Sequence, residues 1–140
     1  MTKKILVAVD MEDETLMAKI LQTAGEIAGL HDAQISLVHV AANLPSDVRT
    51  HLPEDYEKGM TEVVVKKLNK LVASLDLSSD RVHVTVRVGT VYRKILEEAE
   101  EHSADLIIIG CHSPDVADYL LGSNAARIVR RSKCSVYVVR

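Results

Sequence analysis

Two short apolar runs constrain what this chain can become. Residues 4–9 carry Ile5, Leu6, Val7, Ala8 and Val9 and stop at Asp10; residues 104–110 carry Leu106, Ile107, Ile108 and Ile109 and stop at Gly110. Unbroken β-branched runs of this length predict strands buried on both faces, the signature of a parallel sheet covered by helices. Residues 81–88 behave differently. Val82, Val84, Val86 and Val88 alternate with His83, Thr85 and Arg87, which predicts a half-exposed edge strand. Residues 34–40 and 135–139 complete five expected strands. Between them Leu16, Ile20, Ala24, Ile27 and Ala28 recur at helical spacing, as do Met60, Val63, Val64, Leu68, Leu71, Val72 and Leu75. Val91, Ile95 and Ala99 predict a further helix, and Ala125, Ile128 and Val129 another.

Alternating strands and helices imply right-handed crossovers and a doubly wound α/β fold. The expected architecture is a single domain over residues 1–140, a five-stranded parallel sheet of order 3-2-1-4-5 with helices on both faces. In that order the first and fourth strands flank the topological switch point, which makes Asp10 and Gly110 neighbours in a binding crevice. The irregular stretch 41–53 holds two of the three prolines and is read either as a functional loop or as a surface excursion.

The 140 residues are 47% hydrophobic, enough for one continuous core. A net charge of −3 disfavours nucleic acid or an anionic membrane as a partner. No run approaches the ~20 apolar residues of a membrane span, and Asp10 interrupts any signal-like apolar stretch, so the expected location is the cytoplasm. Cys111 and Cys134 allow at most one bridge and are read as reduced thiols.

A phosphate needs donors and an uncrowded backbone. The first strand-to-helix turn reads Asp10, Met11, Glu12, Asp13, Glu14, and its carboxylates suit the helix dipole but repel phosphate. The turn after the fourth strand is better suited: Gly110 permits close approach, Gly122 opens the last helix, and Ser123 and Asn124 add polar groups at its positive end. The alternative is that Ser123 or Asn124 only caps the helix and the glycines only shape turns. Asp10 is read either as an acceptor for an adenine amino group or ribose hydroxyl, or as a turn residue.

At these residues the chain resembles the universal stress protein family, whose phosphate motif is G-x2-G-x9-G-[S/T]. The resemblance runs through ILVAVD, LVHV, VRVGTVYRKIL, ADLIIIG and LLGSNAARIVRRSKCSVYVVR, and at the end looks most like the enterobacterial F-type branch. Gly110, Gly122 and Ser123 match the motif; Ser113 stands where the second glycine would be, and eight residues rather than nine separate it from Gly122. The resemblance implies an adenine nucleotide alpha hydrolase-like fold with ATP or AMP as bound ligand, accompanied by Mg²⁺. Asp10 and the backbone of Val40 would hold adenine, Gly89 would lie near the ribose, and Gly110, His112, Ser113, Gly122, Ser123 and Asn124 would surround the phosphates. It also implies a homodimer through the last strand, from Cys134 to Val139, an edge rich in Val and Tyr, or a higher oligomer built on it.

Several readings compete. A nucleotide-binding regulatory protein needs no catalytic base. A slow ATP hydrolase or phosphotransferase would need one, with His112 and Asp115 as nearby candidates and no recognisable constellation. A receiver-like domain is disfavoured, because the third strand ends Val88, Gly89, Thr90 without an acceptor Asp. A dimeric interaction protein without nucleotide is the remaining alternative. Glu97, Glu98, Glu100 and Glu101 are read as a solvated acidic face and Arg127, Arg130, Arg131 and Lys133 as a solvated basic one. His31, His39, His51, His83 and His102 show no metal-type spacing, and no metal-ligand set is assigned.

Overall fold

The computed structural model describes residues 2–111 and 122–140. The elements follow the order β1 (Lys4–Ala8), α1 (Glu14–His31), β2 (Gln34–Ala41), α2 (Ser46–Thr50), α3 (Tyr56–Ala73), β3 (Val82–Val88), α4 (Val91–Glu101), β4 (Leu106–Gly110), α5 (Ser123–Arg131) and β5 (Ser135–Val139). All strand pairs are parallel and the order is β3-β2-β1-β4-β5, as the sequence predicts.

The solid apolar runs are explained by what lies on each side of them. Ile5, Val7, Leu37 and Ile108 pack with Leu16, Met17, Ile20, Leu21 and Ala24 of α1 and Leu68 of α3. Leu6, Val38, Ile107 and Ile109 point the other way, against Tyr92, Ile95 and Ala99 of α4 and Ala125 and Ile128 of α5. Successive residues therefore enter opposite cores, and neither parity can be polar. On β3 only the valine parity is apolar: Val82 is buried, and Val84 and Val86 pack on the α1/α3 side.

Local chemistry sets the boundaries. Asp13 caps α1 by accepting the Leu16 N–H at 3.0 Å. Arg81, expected at the start of a strand, instead sits in a short 3₁₀ turn, Ser79–Arg81. It donates to the carbonyls of Ala28 and Ala33 and pairs with Asp32 at 3.2 Å, tying the end of α1 to the start of β2. The stretch 41–53 contains one short helix, α2, led by Pro45.

One sequence expectation is overturned. Glu98 was expected on a solvated acidic face, but it is 1% exposed. Its carboxylate accepts from Arg87 of β3, and His102 lies 2.9 Å from its other oxygen. Arg87 also reaches Glu97 and Glu101 at 3.3 and 3.2 Å. Arg87 is thus met by the acids of α4, whereas His83 on the same parity stays exposed, and the hydrogen-bonded pairing is what makes burial of the Glu98 charge tolerable.

Candidate functional site

The site is assembled from strand ends. β1 pairs with β4 through Val7 and Ile108, and continuing that register puts Val9 level with Gly110. Asp10 and Gly110 therefore end adjacent central strands at the switch point, as expected. The Val9 N–H donates to the Val38 carbonyl at 2.9 Å, so the backbone groups of Val38 face β1. Two residues on, the N–H and C=O of Val40 face the same way, beyond that last bond and beside the turn that Asp10 opens. Ala41 faces β3 instead, and its carbonyl accepts the Gly89 N–H at 2.9 Å.

Asp10 takes up its turn reading at the mouth of the crevice. It lies at the crevice end of β1, and its Oδ1 accepts the Glu12 N–H at 2.9 Å, closing an Asx turn into α1. With Asp13 serving as the cap, the first turn satisfies its own backbone with carboxylates and is poorly suited to phosphate.

The glycines divide by physical role. Gly89 has φ +148, a conformation that L side chains rarely adopt, so glycine is required for the turn into α4. Gly110 packs closely on α1: a Cβ there would lie 2.7 Å from Ile20 Cδ1 and 2.8 Å from Leu16 Cδ2, so those side chains would have to shift. Gly122 is the N-cap of α5 at φ −55, ψ 154, and among the described residues a Cβ there meets nothing within 4 Å.

Ser123 and Asn124 are exposed at the first two positions of α5, and among the described residues no side chain caps that helix. The alternative in which one of them merely caps α5 therefore fails among the described residues. The Ala126 N–H bonds to the Gly122 carbonyl at 2.9 Å, which leaves the N–H groups of Ser123, Asn124 and Ala125 without an acceptor inside the helix. His112, Ser113 and Asp115 lie outside the described residues.

Sequence reasoning passed over His39. It sits near the crevice end of β2, and its Nδ1 is buried with no hydrogen-bond partner among the described residues. Burial pushes its pKa below the ordinary 6.5, opposed by the nearby Asp10 and Glu12 carboxylates. The available signal was parity: His39 follows Ile35 and Leu37 onto the α1/α3 face. Glu98, Glu101 and His102 bring ligand atoms within 4.8 Å of one another, but Arg87 already occupies the two carboxylates.

The description "Universal stress protein family" matches residues 1–140. The chain belongs to the universal stress protein family. A curated relative, universal stress protein A homolog 2 of Coxiella burnetii, is 34% identical over 99% of this chain and 94% of its own length. A solved universal stress protein in complex with cAMP superposes with a TM-score of 0.73 at 23% identity, covering 99% of this chain and 97% of its own. The universal stress protein of Archaeoglobus fulgidus in complex with dAMP gives a TM-score of 0.69 at 18% identity, covering 99% and 98%. For this universal stress protein domain the likeness to those structures establishes the fold. No helix among the described residues is long and apolar enough to cross a membrane.

Proposed function

We propose that this universal stress protein binds an adenine nucleotide, ATP or AMP, and acts as a regulatory module rather than through turnover. The observation that carries the reading is the start of α5 at the switch point, where three backbone N–H groups lack helical acceptors and no side chain among the described residues caps them. The backbone of Val40 and the carboxylate of Asp10 would take the adenine, with Gly89 beside the ribose. Gly110, Gly122, Ser123 and Asn124 would border the phosphates, joined by His112 and Ser113. Mg²⁺ would enter as the counter-ion of the phosphates. Two fold relatives whose solved forms are complexes with cAMP and dAMP support the ligand class.

The same reading makes the protein a homodimer through residues 134–139. Support comes from β5, which among the described residues has β4 on one side only and presents a 47% exposed Tyr137. Denaturing extraction of the purified protein followed by nucleotide chromatography, with calorimetric titration of AMP, ADP and ATP with and without Mg²⁺, tests the ligand. Co-purified or saturably bound adenine nucleotide is expected. Absence of binding by all three would replace the reading with a dimeric interaction protein that uses no nucleotide.

A further inference from the structure

The basic face at the end of the chain is organised around one aromatic ring. Tyr92 is 8% exposed and packs with Ile95, Ala125 and Ile128 between α4 and α5. Three exposed guanidinium groups gather on it: Arg127 Cζ lies 4.9 Å from the ring centroid, Arg131 Cζ 5.2 Å and Arg93 Cζ 6.0 Å. Arg127 and Arg131 are one turn apart on α5, and Arg93 comes from α4.

Like charges at this spacing repel. Some cations of the chain have acidic partners: Arg87 has Glu97, Glu98 and Glu101, and Lys133 has Glu100 at 2.6 Å. Among the described residues no carboxylate forms an ion pair with Arg93, Arg127 or Arg131. Three cations without an acidic partner among the described residues therefore lie around one ring. The ring holds the guanidinium groups by cation–π contact but cancels none of their charge.

We propose that the Arg93, Arg127 and Arg131 cluster on Tyr92 is a binding site for a compact, multiply charged phosphate group, such as a phosphomonoester or short oligophosphate. Three convergent cations call for more negative charge than one carboxylate carries, and planar guanidinium forks match phosphate oxygens in pairs. The rigid floor matters as well, because stacking on a buried ring leaves less side-chain freedom to lose on binding. The site is offset from the α5 start: Arg127 and Arg131 stand about 6 and 12 Å along the helix axis from Ser123. It does not depend on the adenine-nucleotide reading.

Titration of the full chain with inorganic tripolyphosphate, followed by NMR at the arginine Nε–Hε groups and the Tyr92 ring, tests the proposal. Saturable shifts are expected at Arg93, Arg127 and Arg131, equally in wild type and in Gly122→Val. The double variant Arg127→Gln/Arg131→Gln should weaken binding about tenfold or more with an unchanged circular dichroism spectrum, since both side chains are exposed. Arg93→Gln, on the other helix, should weaken it too. The site is overturned if nothing saturates, if shifts are confined to the amides of residues 123–125, or if the variants bind as tightly as wild type. Equal affinity for citrate would overturn the assignment to phosphate.

Discussion

The Arg87 guanidinium on edge strand β3 donates to the carboxylate of Glu98 on α4, and Glu98 is 1% exposed. With the contacts to Glu97 and Glu101, this bond ties the outermost strand of the sheet to the helix that follows it. The bond to Glu98 holds the Arg87 pKa above its usual value. Removing Glu98 would take away the buried partner of Arg87 and leave only the more exposed Glu97 and Glu101. Glu98→Ala is expected to cost about 3 kcal/mol of unfolding free energy, measured by urea denaturation. Adding Arg87→Met should recover part of that loss in a double-mutant cycle; additive losses would show that the two groups are not coupled.

Gly110 and Gly122 share a motif but should respond differently to a methyl group. Gly110→Ala drives a Cβ against Ile20 and Leu16 and should destabilise by roughly 1–3 kcal/mol. Gly122→Ala should leave the thermal midpoint nearly unchanged, because its φ is ordinary and the described surroundings are open. Gly122→Val, with a larger side chain at the helix start, is expected to weaken adenine-nucleotide binding while preserving the fold. Calorimetry on a folded Gly122→Val that binds as well as wild type would remove α5 as the phosphate site.

His39 makes stability depend on pH. Burial lowers its folded pKa below 6.5, so in the window beneath that value the unfolded chain takes up a proton that the folded chain resists. Stability should therefore fall as pH drops from about 6.5 towards the folded pKa. Urea midpoints at several pH values should show a smaller decline in His39→Gln than in wild type; identical profiles would place the acid sensitivity elsewhere.

Asp105 fastens the start of the sheet. Its Oδ2 accepts the N–H groups of Lys3 and Lys4, both at 2.8 Å, and these bonds hold its pKa below the ordinary value. Asp105→Ala is expected to cost about 1–2 kcal/mol at neutral pH, a modest figure because the group is exposed. A carboxyl with a lowered folded pKa stabilises above its unfolded value of 3.8 and loses that contribution as pH falls through the folded one. The difference between wild type and Asp105→Ala should thus shrink below about pH 4.

The strand order, the parallel pairing and the neighbouring ends of β1 and β4 follow from chain-local patterns. A strand buried on both faces must be apolar at every position, an edge strand need be so only at alternate ones, and residues 4–9, 104–110 and 81–88 display that difference directly. The glycine-bearing start of α5 was visible for a similar reason, because Gly122, Ser123 and Asn124 are contiguous. Other features depended on tertiary placement. Glu98 reads as one more acid in an exposed run until α4 is laid across β3 and Arg87 meets it. The packing role of Gly110 does not show until α1 is laid against it, and His39 reads as an isolated histidine until β2 carries its ring to the α1/α3 face. Arg93 reads as unrelated to Arg127 and Arg131 until α4 and α5 close on Tyr92. Periodicity records which face of an element is buried, whereas the identity of the group it meets depends on contacts between distant parts of the chain, which only the packed structure brings together.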